Sequence, residues 1–278
     1  MVVRGIDIAS HQEPILWDVL DAARSEFVVV KATGGGTYKN PLYRTQVDNA
    51  RRRGRIVGHY HYAHELTFEA HQPQGKFSPE QEAAHFLANS DIRPGDFVAL
   101  DIEDPDAHGN LSPWALRWCA AVEAVAGVKP FIYSYPSYFG ERSLTAPELA
   151  KYPLWLASYT IPYRDNWTPV APKPWADWTI WQWSGGSKLR GIVFDTDENI
   201  FRGSREQLLA YTKPAQQTAL PFQHAPGFIG PPLVDNFNWG GDTAGIIVKR
   251  ETTVYNDELK KFFILRWTPD KGIEIGDL

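Results

Sequence analysis

The segment FVALDIED at residues 97–104 alternates apolar and acidic side chains before its final aspartate. As a strand it puts Ala99, Asp101 and Glu103 on one face and Val98, Leu100 and Ile102 on the other. Two carboxylates then stand ~6.6 Å apart along one strand. Acids confined together raise the pKa of at least one of them, and a carboxyl that stays protonated near neutrality can donate to a glycosidic oxygen. Acids at strand ends also cap helices or bind Arg, and Asp104 and Asp106 read that way. Asp7 in GIDIASHQ and Asp197 in FDTDENIF repeat the pattern at the ends of two further apolar runs, and these motifs contain no basic counterpart to the four acids.

A second chemistry competes with the first. His59, His61 and His64 fall in GHYHYAHE, and His-x-His on a strand is a zinc-ligating pattern. Only one face of that strand points inward. If it is the face of Tyr60 and Tyr62, then His59 and His61 meet the helix layer as hydrogen-bonded core groups.

The elements that must position these residues are legible as short β-branched or aromatic runs alternating with helical patterns. The strand candidates are 3–8, 27–33, 56–62, 97–103, 130–135, 154–159, 178–183 and 192–197. Eight strands fit a closed barrel, whose first and last strands are neighbours and whose active site lies at the C-terminal ends of the strands. The four acids then converge on one mouth. Ser78-Pro79-Glu80-Gln81 reads as a capping box opening a helix, and Ser112-Pro113 opens another in the same way. Residues 136–177 are rich in Pro, Tyr and Trp with little helical period. The expected fold is an irregular β/α barrel of the TIM-like class that lacks some helices in its second half.

The barrel is expected over residues 1–213. Beyond it, 214–278 read as a Pro-rich strap followed by two strands about a turn at Asn256-Asp257. A lone hairpin is marginal in water, so this extension is expected to pack Phe262, Phe263, Ile264 and Trp267 onto the barrel, the alternative being a minimal recognition element.

Composition excludes several classes. A net charge of −5 argues against a nucleic-acid surface, and the Arg51-Arg52-Arg53 run with Arg55 reads as a helix C-terminus. No apolar stretch approaches the ~20 residues that span a bilayer, so no membrane partner is expected. The N-terminus carries no signal-peptide pattern. The single Cys119 excludes an intrachain disulfide. Eleven Trp and twelve Tyr suit sugar recognition, since flat aromatic faces stack on sugar rings.

GIDIASHQ, FVVVKAT with a Gly-rich turn and Tyr38, VGHYHYA, FVALDIED, FIYSYPSYF, LWLASY, WQW and FDTDENIF occur in an order and spacing that resembles the family 25 glycoside hydrolases. The resemblance covers residues 3 to about 210. It implies a muramidase (lysozyme) that cleaves bacterial peptidoglycan glycan strands between N-acetylmuramic acid and N-acetylglucosamine, as a monomer without cofactor or metal. It also implies Glu103 as general acid/base, Asp101 as its partner, Asp7 and Asp197 in the acidic ring, and Tyr60, Tyr62, Tyr133, Trp155 and Trp183 lining the glycan cleft. The Asp-x-Glu arrangement resembles that of barrel hydrolases in which the substrate's acetamido group assists, which implies retention. A phage endolysin, held in the producing cytoplasm until release, fits this reading, as does a protein secreted by a non-classical route. One departure stands out: the family usually carries Lys-Ala-Thr-Glu-Gly after the second strand, where this chain has Lys31-Ala32-Thr33-Gly34-Gly35. The rival readings are a metal-dependent wall amidase or peptidase using His59 and His61, and a wall-binding barrel without activity.

Overall fold

A computed structural model describes residues 2–64, 77–159 and 167–212, together with the backbone of three strands between 250 and 277. The chain divides into two compact units, Met1–Leu220 and Pro221–Leu278.

The first unit is a closed barrel of eight strands: β1 (Val3–Ile8), β2 (Phe27–Gly34), β4 (Ile56–Tyr62), β5 (Phe97–Asp101), β6 (Phe131–Ser134), β7 (Leu154–Ala157), β8 (Ile180–Ser187) and β9 (Thr196–Phe201). A two-residue strand, β3 (Tyr38–Lys39), folds back on β2. Seven barrel strands run parallel, whereas β9 runs antiparallel to both β8 and β1 and closes the ring together with the β1–β2 pairing. Alternation sorts the side chains into two cores. Val3, Phe27, Val29, Phe97, Phe131, Ile180 and Phe201 fill the interior, while Ile6, Val28, Val30, Val98, Leu100, Ile132 and Ile200 belong to the layer between barrel and helices.

The helices are α1 (Tyr43–Arg52), α2 (Pro79–Asn89), α3 (Ser112–Ala126), α4 (Pro136–Glu141) and α5 (Arg205–Ala210). Only the first three exceed two turns, so the second half of the barrel is stripped as its Pro-rich sequence implies. Ser78 and Gln81 form the expected capping box. Ser112 does not cap α3; it is the first helical residue, and its hydroxyl donates to Ser143 O at 2.6 Å and accepts from Thr145 N and Ala146 N. Arg51 and Arg52 do end α1, but Arg51 also bridges to Asp91 at 2.8 Å and to Asp96, fastening the helix to the loop before β5. Among the described residues no helix is long and apolar enough to cross a membrane.

Several strands differ from expectation: β5 ends at Asp101 and β7 at Ala157, two residues short of their expected ends, so Glu103 lies beyond the strand that was to carry it. The run Ile192-Val193-Phe194 is not a strand: Val193 and Phe194 are 65% and 47% exposed, and the last barrel strand begins at Thr196. Its first inward residues, Asp197 and Asn199, are polar, which hides it from a hydrophobic count. The preceding strand reaches Ser187 through two register shifts against β9.

The second unit contains β10 (Arg250–Asn256), β11 (Lys261–Thr268) and β12 (Gly272–Asp277) in one antiparallel sheet of that order. The third strand, GIEIGD, is short and Gly-flanked and was not expected. The Pro-rich strap and the packing expected of Phe262, Phe263, Ile264 and Trp267 lie outside the described residues.

Candidate active site

Asp101 is the last residue of β5, opposite Tyr62 of β4 and Tyr133 of β6, and Glu103 follows just past the strand end. Burial and then the negative charge of Asp7 push the Glu103 carboxyl up to about 7, with Lys31 pulling the other way. That is the range in which a carboxyl can both hold and give up a proton near neutrality.

Asp7 and Asp197 face each other directly in the β1–β9 register. They meet because β9 is antiparallel: Asp197 stands near the start of its strand, not the end, and that start lies at the same mouth as the end of β1. The two carboxyls share a hydrogen bond. Burial and the charge of Asp7 push Asp197 up to about 9, so the pair retains one proton at neutral pH. Burial also raises Asp7, against the donors it accepts. These are Asn199 Nδ2 at 2.6 Å and Gln182 Nε2 at 3.0 Å, both onto Oδ2.

Tyr60 and Tyr62 point inward as expected, and with Tyr38 they surround the Lys31 ammonium at 5.7, 4.4 and 5.7 Å. Tyr60, Tyr133 and Trp155 meet edge-on, with centroids 6.5 and 4.8 Å apart. They are only 8%, 6% and 2% exposed, so they form the floor of the cleft and not stacking platforms on its walls. Trp183 is placed differently from expectation: its neighbour Gln182 faces the barrel interior, and the indole packs partly buried against the outer layer. It is withdrawn from the cleft.

Sequence reasoning passed over Lys31, Gln182, Asn199 and Tyr159. Lys31 is the basic counterpart that the acid motifs lack. The first three carry a signal in the sequence. Lys31 stands two residues after inward Val29, Gln182 is the polar residue between two tryptophans, and Asn199 follows Asp197 at a spacing of two.

His59 and His61 lie on the outward face of β4, fully buried. Both nitrogens of each ring are engaged: His59 with the Tyr43 hydroxyl at 2.9 Å and Asp96 at 3.0 Å, His61 with Thr33 at 2.8 Å and Glu82 at 2.9 Å. Neither ring has a lone pair to offer a metal. Asp104 holds His64 Nδ1 at 3.1 Å and caps Asp106 N, a structural part. Among the described residues no three metal-ligating side chains come together.

A closed β/α barrel with two acids at the end of its fourth parallel strand, a proton-sharing pair opposite and an aromatic floor is the architecture of a barrel glycoside hydrolase. The model of the Glycosyl hydrolases family 25 matches residues 6–192, and the chain belongs to that family. It is 30% identical over 231 residues to the YegX protein of Escherichia coli O157:H7, covering 78% of this chain and 75% of that one. It is 29% identical to Lysozyme M1 of Streptomyces globisporus, with 75% and 70% covered. The structure of the bacterial lysozyme from Streptomyces coelicolor superimposes with a TM-score of 0.66 at 26% identity, over 76% of this chain and 97% of that one.

Proposed function

We propose that this glycoside hydrolase is a muramidase that cleaves the β-1,4 bond between N-acetylmuramic acid and N-acetylglucosamine in bacterial peptidoglycan. The observation that carries the reading is the Glu103 carboxyl, held near neutrality beside Asp101 at the barrel mouth. Relatives named as lysozymes and as N,O-diacetylmuramidase support the substrate. Glu103 donates its proton to the departing 4-oxygen as the C1–O bond breaks. The acetamido carbonyl oxygen of the same sugar attacks C1, with Asp101 accepting from the acetamido N–H. Glu103, now a carboxylate, takes a proton from water, which opens the oxazolinium ring from the face that the leaving group vacated. Two inversions give net retention. Asp7 and Asp197 set the charge beneath the cleft. All these groups come from one chain, which supports a monomer as the working unit, with residues 1–213 catalytic and 214–278 an extension.

Glu103→Gln cannot donate the proton and is expected to lose ~10²–10⁴-fold in rate with its melting temperature preserved. Reducing-end analysis of digested peptidoglycan should show muramic acid ends appearing with the wild type only. Residual activity above about a tenth would defeat the assignment. Exhaustive chelation should leave the rate unchanged, since every step runs on carboxyls and substrate; loss with EDTA and rescue by zinc would favour the histidine chemistry instead.

A further inference from the structure

Asp7 lies beneath the cleft with two primary amides on a single oxygen, Asn199 at 2.6 Å and Gln182 at 3.0 Å. A primary amide has two ends, and turned over it would present its carbonyl oxygen to the carboxylate. At Asn199 that alternative is closed by Trp155, whose indole N–H can only donate and does so to Asn199 Oδ1 at 2.7 Å. At Gln182 the hydroxyls of Tyr133 and Tyr159 occupy Oε1 at 2.9 and 3.0 Å. Asn199, Gln182, Tyr133 and Trp155 are buried, so water does not compete for these positions. Each amide has one end held by aromatic donors and the other aimed at Asp7.

We propose that Asn199, locked in one orientation by Trp155, and Gln182, whose carbonyl oxygen takes the Tyr133 and Tyr159 hydroxyls, are positioning residues that select Asp7 as the ionised member of its pair with Asp197 and leave Asp197 carrying the shared proton. The proposal rests on reading the site as an acid-catalysed glycosidase and adds to it a rule for where the protons stand. Two charge-assisted hydrogen bonds converge on Asp7 and favour its anion. The charge so fixed also helps keep Glu103 protonated. The titratable groups around Asp7 are Asp197 on β9, Asp101 and Glu103 at the end of β5, Tyr60 on β4, Tyr133 on β6 and Tyr159 after β7, with Lys31 of β2 acting on Glu103.

The test compares the pH dependence of kcat/KM on peptidoglycan for wild type, Asn199→Leu and Trp155→Phe. Removing a donor from the anion raises the pKa of Asp7, so the acid limb moves to higher pH, by about one unit or more for Asn199→Leu. Trp155→Phe keeps the ring and merely frees the amide to turn, and it moves the same limb in the same direction by less. A fall by one factor at every pH, with the acid limb unmoved in both variants, overturns the proposal and leaves these residues a packing role. Infrared titration of protonated carboxyl bands in a Glu103→Gln background reads the pair without turnover. There, Asp197→Asn leaves Asp7 to titrate without its carboxyl partner, and Asp7→Asn leaves Asp197. The expected midpoint for Asp7 is the lower of the two and rises on adding Asn199→Leu; an equal or inverted order overturns the proposal. Because the infrared arm needs no catalysis, it stands even if Glu103→Gln proves active and the functional reading fails.

Discussion

At the scale of single residues, the pH profile follows from which carboxyls must hold protons. The proposed acid, Glu103, has its carboxyl pushed up to about 7. Activity should therefore fall as pH rises through about 7, in the alkaline limb of kcat/KM. Lys31 favours the Glu103 carboxylate, so Lys31→Met removes that pull and should move the limb to higher pH. The same carboxyls cost stability in alkali. Asp197 is raised from 3.8 to about 9 and Glu103 from 4.5 to about 7, so between those limits the folded chain binds protons that the unfolded chain does not. Stability falls as pH rises across that window. Asp197→Asn should accordingly raise the melting temperature at pH 8 to 9 by a few degrees while losing activity, a trade measurable by calorimetry. Asp7 and Asp101 were legible because strand alternation announces inward carboxylates, whereas Glu103 lies past its strand's end and Asp197 near the start of a strand expected to end there. The partners of these acids were not legible, because a lone Lys, Gln or Asn carries no pattern until the strand that faces it is known. The missing family glutamate is a separate matter. A Cβ at Gly34 would meet only ordinary contacts, 3.5 Å from Tyr62 O and 3.6 Å from Tyr38, so lack of space at the Cβ does not exclude it.

At the scale of elements, β4 is the strand that two chemistries claimed, and its outward face is fastened to α2 by a buried pair. Glu82 Oε2 accepts from His61 at 2.9 Å and from the His64 N–H at 3.1 Å. Burial pushes Glu82 up to about 7 and His61 down, so the contact is largely that of neutral groups at acid pH. Glu82→Gln keeps the acceptor and should be nearly neutral at pH 6 and stabilising above pH 7, where the acid would otherwise ionise. Glu82→Leu orphans two donors and should cost about 1–3 kcal/mol for each, seen as a lower melting temperature at either pH. The histidine motif was ambiguous in the sequence because spacing fixes which residues share a face but not which face is inside. The last strand failed for a related reason. A period-two pattern with Asp197 and Asn199 inward and Glu198 outward toward Arg24 offers little apolar contrast, and nothing local reveals an antiparallel return.

At the scale of the whole molecule, every proposed site residue belongs to the first compact unit. In the second unit β10 pairs with β11 and β11 with β12, and no proposed site residue lies on these strands. A chain ended at Lys213 should therefore cleave soluble muropeptide chains at a rate within about twofold of the full chain, and a loss of tenfold or more would mean that the extension takes part in the chemistry.

The Asp7–Asp197 pairing also bears on synthesis. It joins the first strand of the barrel to the last, across a register that spans nearly the whole first unit. Contacts of such long sequence separation form late, because the loop they close must first be paid for in entropy. A ribosome releasing the chain from its N-terminus exposes Asp101 and Glu103 well before β9 exists. Catalytic competence is thereby tied to completion of the barrel. A polypeptide stopped anywhere before Thr196 carries Asp101 and Glu103 yet lacks Asp197, so unfinished copies should be inactive.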